Sequence, residues 1–576
     1  MTTPLQLNDD RKRLLVTDGP LLILGGPGAG KTSIALLKAA QIIADSRLKS
    51  GQQVLFLSFA RATITRVAQH AQRLVSTETR RSLEINTYHG FAWGILQSHG
   101  YLLSKSRRIN LLPPPEAAAR FAHLSSEERE AEKDRLFREE GLLHFDLFAP
   151  VSAELLHRSA ALAAIISSAY PVIILDEFQD TNPAEWSLMQ ALGKRSTLIA
   201  LADPDQRIYE FRGADPARIQ DFITAYKPTL FDFAQDNHRS NGTDIVTFAN
   251  DLLTDSHKKK NYKDVAINKY PFYAKKHGCY TLKLAVLDGL KRTAKKDVPW
   301  SIACLVPTKR LMLQASGYFS SKADNLPTLH HDVAMDQEGP ALAASLIAGL
   351  MEGGSEVVMR IRFITDLCNH IRGRRGADSP PQLDLEFSTA LSDYVTTGKK
   401  VRGKVRLLVV SEATRIAKAV SKLVFTGNPA EDWLAVRRLL EESPAECIQQ
   451  AAENARYLRL LIRGTTLRDQ LAELWRERHN YRGSLACVQN ALRQEHFSAS
   501  LHDPAGIQIM TIHKSKGKEF DEVFIFEGFK QGKLVRAAAD AKAIAQARLS
   551  LRVAVTRARK RATIMFPKAE TCWFFL

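Results

Sequence analysis

The chain reads as an α/β protein built from two parallel sheets, each flanked by helices and each interrupted by a mainly helical insertion. Three observations carry this reading. Short, continuously apolar runs recur through the first 230 residues and return after them; strands buried on both faces of a parallel sheet have this character. Amphipathic segments separate the runs, as helical crossovers require. Two long stretches, 91–168 and 351–499, have a helix-rich texture instead, and 576 residues exceed what one core holds.

In chain order, the expected strands of the first sheet are PLLILG (20–25), VLFLSF (54–59), LEINTY (83–88), VIILDE (172–177) and LIALAD (198–203). The stretch between the third and fourth holds a triple proline (113–115), an acidic helical piece (125–140) and an Ala-rich helix. The second sheet is expected from YTLKLAVL (280–287), SIACLVP (301–307), IQIMTI (507–512), EVFIFEG (522–528) and ATIMF (562–566). Heptad-like runs such as WLAVRRLLEES (433–443) and AELWRERHNY (472–481) mark its helical interruption. The expected division is therefore 1–90 with 169–230 as the first α/β domain, 91–168 as its insert, 231–350 with 500–576 as the second domain, and 351–499 as the second insert.

With 80 Lys and Arg against 62 Asp and Glu, the formal charge of +18 favours a polyanionic partner. Basic clusters stand at 257–260, 370–375, 399–406 and 557–561. Even the most apolar stretch, 160–175, falls short of a membrane span, and MTTPLQLNDDRKR has no hydrophobic signal segment. A cytoplasmic protein without membrane attachment is the expectation. The six cysteines form no C-x-x-C pair, which argues against a structural zinc, an iron–sulfur cluster or a disulfide framework. No repeat of 20–50 residues points to a solenoid.

The sharpest local signal is GGPGAGKT, residues 25–32, which fits G-x-x-x-x-G-K-[ST] between a strand and an amphipathic helix. Gly25, Gly26, Gly28, Ala29 and Gly30 allow backbone amides to turn around phosphate oxygens, and the helix N-terminus, with Ser33 in its first turn, adds partial positive charge. Lys31 is expected on the β/γ-phosphates and the Thr32 hydroxyl on Mg²⁺, so ATP and Mg²⁺ are the expected cofactors. Asp176 follows four apolar residues and projects from a strand's C-terminal end, where it can hold the metal. Glu177 is then placed to orient and deprotonate the attacking water. Asp203 and Gln206 follow the next strand at the lip of the same crevice, and Gln206 can sense the γ-phosphate.

Taken together these residues resemble the UvrD/Rep/PcrA-like branch of superfamily-one DNA helicases. The resemblance runs in order from Leu7 to Ala558. The phosphate loop resembles motif I, SFARATITRVAQHAQRL (58–74) motif Ia, TYHGFAWGIL (87–96) Ib, DEFQD (176–180) II and ADPDQRIYEFRGA (202–214) III. NHRS (237–240) resembles IV, MTIHKSKGKEFDEVFI (510–525) V and VAVTRA (553–558) VI. It implies two RecA-like domains with ATP between them. Lys31, Thr32, Asp176, Glu177 and Gln206 would lie on the first domain, and Arg239 and Arg557 would reach across from the second as arginine fingers. Gly517 and Glu519 would lie on the nucleotide side. Single-stranded DNA would cross the other face at Phe59, Thr87, His89, Phe211 and His513, moving 3′ to 5′.

The chain also departs from the family pattern. Arg11 stands where the L-N-x-x-Q block has its adenine-reading glutamine, and His238 stands where motif IV has a stacking tyrosine. A glutamine amide donates and accepts along adenine's edge while arginine only donates, so other nucleoside triphosphates come into range. Arg552 takes the place of an aromatic residue before motif VI, and the 351–499 insert has no G-I-G-type hairpin. Only eighteen residues follow Ala558, so a nuclease would be a separate polypeptide. Two readings follow. One is an ATP-driven translocase or helicase on single-stranded or tailed duplex DNA, in repair or recombination. The other is a DNA-stimulated ATPase subunit that controls a partner nuclease, as in Gabija-type antiviral defence.

Overall fold

The computed structural model describes residues 7–45, 47–59, 61–204, 215, 217–233, 240–259, 261–271, 277–294, 299–334, 338–376, 379–456, 465–497, 505–529, 532–535 and 539–575. In chain order its strands are β1 (Leu21–Leu24), β2 (Val54–Ser58), β3 (Leu83–Thr87), β4 (Asn110–Leu111), β5 (Leu142–Leu143), β6 (Val172–Leu175), β7 (Thr197–Ala202), β8 (Thr229–Asp232), β9 (Val265–Tyr270), β10 (Ser301–Val306), β11 (His331–Val333), β12 (Gly506–Thr511), β13 (Phe520–Phe526) and β14 (Ala558–Pro567). The chain divides into two compact units. One comprises Met1–Gly94, Ala149–Ala334 and Ala499–Leu576, and the other Ile95–Phe148 and Met335–Ser498.

The first unit contains two six-stranded sheets, ordered β3-β2-β6-β7-β1-β8 and β11-β12-β10-β13-β14-β9. Every neighbouring pair in both is parallel. This is an α/β structure of parallel sheets flanked by helices, as expected. Interior strands β2, β10 and β13 are buried along their whole length, which is why they appear in the sequence as unbroken apolar runs. In the first sheet β7 lies between β6 and β1, in register from Val172↔Thr197 to Leu24↔Ala202. The segments leaving the C-terminal ends of β1, β6 and β7 therefore emerge side by side, where ligands gather in such sheets.

One expected strand is corrected. YTLKLAVL (280–287) lies inside the helix His277–Thr293. Leu282 and Val286, one helical turn apart, are both fully buried. Lys283 is buried with them, and its Nζ donates to the carbonyls of Tyr318 (3.2 Å) and Ser321 (2.8 Å) at the end of the helix Lys309–Ser320. Over eight residues an apolar–polar alternation mimics a strand, and the helical period shows only across the full segment. Strands β8, β9 and β11 have no counterpart among the expected strands. All three are partly exposed and lie at the sheet edges, so they lack long apolar runs.

The second unit is mainly helical. Its core holds the helix Glu338–Met351, buried almost all round, with Glu356–Gly373, Gln382–Thr397, Lys404–Val420, Pro429–Glu441 and Glu446–Ala455 supplying the surrounding apolar faces. Chain from the first interruption joins the same unit. The helix Pro114–Arg120 packs on Glu356–Gly373, and Arg129 Nη2 donates to Ser379 Oγ at 3.0 Å. The crossing is tight at Gly373, where a Cβ would stand 2.9 Å from the Ala119 backbone nitrogen. Among the described residues no helix is long and apolar enough to cross a membrane.

Gly373→Ala should destabilise this helical unit by about 1–3 kcal/mol, because backbone cannot yield as a flexible side chain does. Urea denaturation of the two proteins measures it, and an unchanged midpoint would contradict the close crossing.

Candidate active site

β1 leads into the loop 25–30 and then the helix Lys31–Ala44. Gly28 and Gly30 adopt φ values of 82° and 81°, a left-handed geometry that glycine enters without strain. A Cβ on Gly25 would stand 3.0 Å from the Ala29 Cβ, so a larger residue there would press the loop outward. The helix has no acidic residue in its first turn and no side-chain cap, an arrangement suited to an anion at its N-terminus. Ala29 is buried, whereas Gly26, Thr32 and Ser33 are partly exposed. Lys31 Nζ donates to the carbonyls of Gly25 (2.6 Å) and Gly26 (3.2 Å), which keeps its charge over the loop.

Arg11 braces this loop from the helix Asp9–Val16. It is buried, its Nη2 donates to the Ala29 carbonyl at 3.0 Å, and its guanidinium lies 5.2 Å from the centre of the Phe233 ring. The side chain expected beside a base thus has the phosphate loop itself as a partner.

β6 delivers the carboxylates. Asp176 is 4% exposed, and its Oδ2 accepts from Ser58 Oγ at 3.0 Å. Its main-chain N–H donates to Leu57 O at 2.8 Å, continuing the β2–β6 ladder to the strand end. Glu177 then turns into the left-handed region at φ 53°, a strained conformation for a residue with a Cβ. Burial, followed by the neighbouring Glu177 charge, pushes Asp176 up to about 7. Burial pushes Glu177 up as well, but Lys516, Lys31, a hydrogen bond from Gln179 and Arg557 outweigh it and hold Glu177 below its usual value. Asp176 feels the charge of Lys31, the residue before Thr32 at the helix start, and a buried carboxyl with a hydroxyl on that helix is a donor chemistry that fits a hard divalent cation.

The second sheet contributes the opposing charges. Lys516, in the segment after β12, forms a buried ion pair with Asp180 and lies 3.9 Å from Glu177 Oε2. Burial pushes Asp180 up to about 7 despite that pair. Arg557 is 2% exposed. Its guanidinium donates to Val553 O (3.0 Å), Thr556 Oγ1 (3.2 Å) and Lys518 O (3.5 Å). Gly517, at φ 76°, is buried, and Glu519 beside it is partly exposed.

The residues expected to meet DNA are spread differently. Phe59 is partly buried, with its ring stacked on buried Tyr88 at 4.5 Å. Thr87 Oγ1 accepts from Gly90 N–H at 2.8 Å, and His89 Nε2 lies 3.9 Å from Glu185 Oε1. Burial lowers the pKa of His513. Gln206, Phe211, His238 and Arg239 lie outside the described residues. Conversely, Ser58, Gln179, Asp180 and Lys516 belong to the cluster without having been singled out by residue type. Their positions inside the matched blocks were the available signal.

Two family profiles match the chain. The UvrD/REP helicase N-terminal domain covers residues 7–140 and 127–227, and the UvrD-like helicase C-terminal domain covers 435–569. The chain belongs to the UvrD/REP helicase family. Among similar proteins is the ATP-dependent DNA helicase PcrA of Staphylococcus aureus, 24% identical in an alignment of 289 residues that covers 42% of this chain and 39% of PcrA. The ATP-dependent DNA helicase UvrD1 of Mycobacterium leprae is 26% identical in an alignment of 308 residues that covers 43% of this chain and 39% of UvrD1. The UvrD1 of Mycobacterium bovis is 25% identical over 303 residues, with the same shares. The chain thus spans about two fifths of the length of these curated relatives.

Arg11→Ala should weaken binding of ATP and GTP analogues alike, on the order of tenfold, since one charge-assisted hydrogen bond to the loop is lost. Fluorescence titration with labelled nucleotides reads this, and a loss confined to adenine nucleotides would place Arg11 on the base instead.

Proposed function

We propose that the chain is an ATP-driven DNA motor that binds single-stranded DNA, moves along it 3′ to 5′ and separates tailed duplexes. The observation that supports this most is the convergence of three groups in one buried polar cluster. They are the phosphate loop after β1, the carboxylates after β6, and Lys516 and Arg557 from the second sheet. Lys31 would exchange its loop carbonyls for β/γ-phosphate oxygens. Thr32 and Asp176 would hold Mg²⁺, which when bound neutralises charge on the transferring phosphoryl group. Glu177, kept ionised by the surrounding cations, would orient the attacking water and accept its proton. Arg557, and on sequence grounds Arg239, would stabilise the charge that develops as the γ-phosphate leaves, while Gln206 would sense that phosphate. Gly517 and Glu519 would line the nucleotide side, and His238 would stack near the base.

On the DNA side, Phe59 and Phe211 would stack bases, each contributing roughly 1–3 kcal/mol without reading sequence, with Thr87, His89 and His513 along the same path. The +18 net charge would supply phosphate contacts, so affinity should fall steeply with salt.

Lys31→Ala should abolish hydrolysis and leave single-strand binding intact. Arg557→Ala should lower kcat at least a hundredfold with little change in nucleotide affinity, because its contribution belongs to the transition state. Strand displacement on 3′-tailed, 5′-tailed and blunt duplexes, with ATP turnover followed in the same samples, tests the motor. Unwinding of the 3′-tailed substrate alone is expected. DNA-stimulated hydrolysis without displacement would replace unwinding with a sensing role for a separate nuclease.

A further inference from the structure

Arg552 ends a path of buried polar contacts that reaches Glu177. It lies in the helix Ala541–Val555 beside the second sheet and is 2% exposed. One prong of its guanidinium is anchored beside that sheet, where Nη2 donates to Asn250 Oδ1 at 3.2 Å. The other reaches the first sheet, with Nη1 at 3.8 Å from Oδ1 of Asp203, which follows β7 and is also 2% exposed. The Asp203 main-chain N–H donates to Gln179 Oε1 at 3.0 Å, and Gln179 Nε2 donates to Glu177 Oε2 at 2.7 Å. Gln179 is 1% exposed.

The chemistry of this path has a direction. A backbone N–H can only donate, so Gln179 must turn its carbonyl oxygen to Asp203 and its NH₂ to Glu177. The reverse amide orientation would set an oxygen against a carboxylate. The main chain at Asp203 thereby decides which end of Gln179 meets the carboxylate, and Arg552 is a cation from beside the second sheet that pairs with the Asp203 side chain. An ion pair this dry is favourable only while both partners are present, because either charge left alone in the seam is heavily penalised.

We propose that Arg552 is a positioning residue for hydrolysis: by clamping Asp203 from the second sheet it sets Gln179, and so Glu177, in the orientation that the attacking water requires. The inference rests on the proposed ATP hydrolysis and assigns a role that goes beyond it. Neither Arg552 nor Gln179 touches the nucleotide in this scheme. Their loss should therefore slow turnover and spare binding.

The test is a double-mutant cycle on the full chain with Arg552→Met, Gln179→Ala and the double variant. It measures kcat with single-stranded DNA and Kd for a fluorescent ATP analogue, with Lys31→Ala as the blank. Each single variant is expected to lower kcat at least tenfold with Kd within twofold of the parent, and the double variant to be no slower than the slower single. Arg552→Lys, which keeps the charge but not the fork, should recover part of the loss. Parental kcat in Arg552→Met, losses that multiply in the double variant, or a loss carried by Kd alone would each overturn the proposal. Should Arg552→Met fail to fold, Asp203→Asn replaces it under the same criteria. A parent no faster than Lys31→Ala would defeat the hydrolysis reading itself, and this inference with it. A parent well above the blank alongside an unaffected Arg552→Met would defeat only this inference.

Discussion

Burial of negative charge is the constraint on which the rest of this structure depends. Asp176, Asp180 and Asp203 are each 5% exposed or less, and Glu177 stands among them. Carboxylates so enclosed are tolerable only with cations and hydrogen-bond donors arrayed against them. Those groups come from distant parts of the chain: Ser58 at the end of β2, Lys31 at the phosphate loop, and Lys516, Arg552 and Arg557 from beside the second sheet. The compensation is uneven. Asp176 and Asp180 remain pushed up to about 7, while Glu177 is held down. Two adjacent carboxyls are thus held with opposite tendencies by the groups around them.

The sheet topology makes this arrangement possible. Because β7 separates β1 from β6, the phosphate loop, Asp203 and the Asp176–Glu177 pair leave neighbouring strand ends, although about 150 residues separate the first from the last. The left-handed turn at Glu177 brings the backbone round within one residue of the strand end. A strained residue at that point is consistent with a carboxylate whose direction matters more than its comfort. Gln179 then ties the turn to the end of β7, so two strand ends are fastened to each other by one side-chain amide.

The helical unit follows a different logic. Its two contributing segments, Ile95–Phe148 and Met335–Ser498, interrupt different sheets, yet they share one compact body. The helix Glu338–Met351, with small residues such as Gly339, Ala343, Ala344 and Ala348 buried, lets several neighbours approach its backbone closely. The Gly373–Ala119 crossing joins the two segments in the same way.

The sequence alone determined the interior strands and the phosphate loop, because both are written in contiguous residues. A strand buried on two faces needs an unbroken apolar run, and a phosphate cradle needs glycines at fixed spacing before a Lys-Thr pair. The same contiguous signals pointed to Lys31, Asp176 and Glu177, and the resemblance of its block to motif VI pointed to Arg557. Partly exposed edge strands such as β9 carry no comparable run, and YTLKLAVL satisfied two periodicities until the helix His277–Thr293 showed which one packs. Only the tertiary structure decided that Arg11 grips the loop carbonyl of Ala29, that Lys516 reaches Asp180, and that Arg552 meets Asp203. These pairs are separated by 18 to more than 300 positions and join residue types common on any surface. What makes each pair consequential is burial, and burial is a property of the packed sheets rather than of any local stretch of chain.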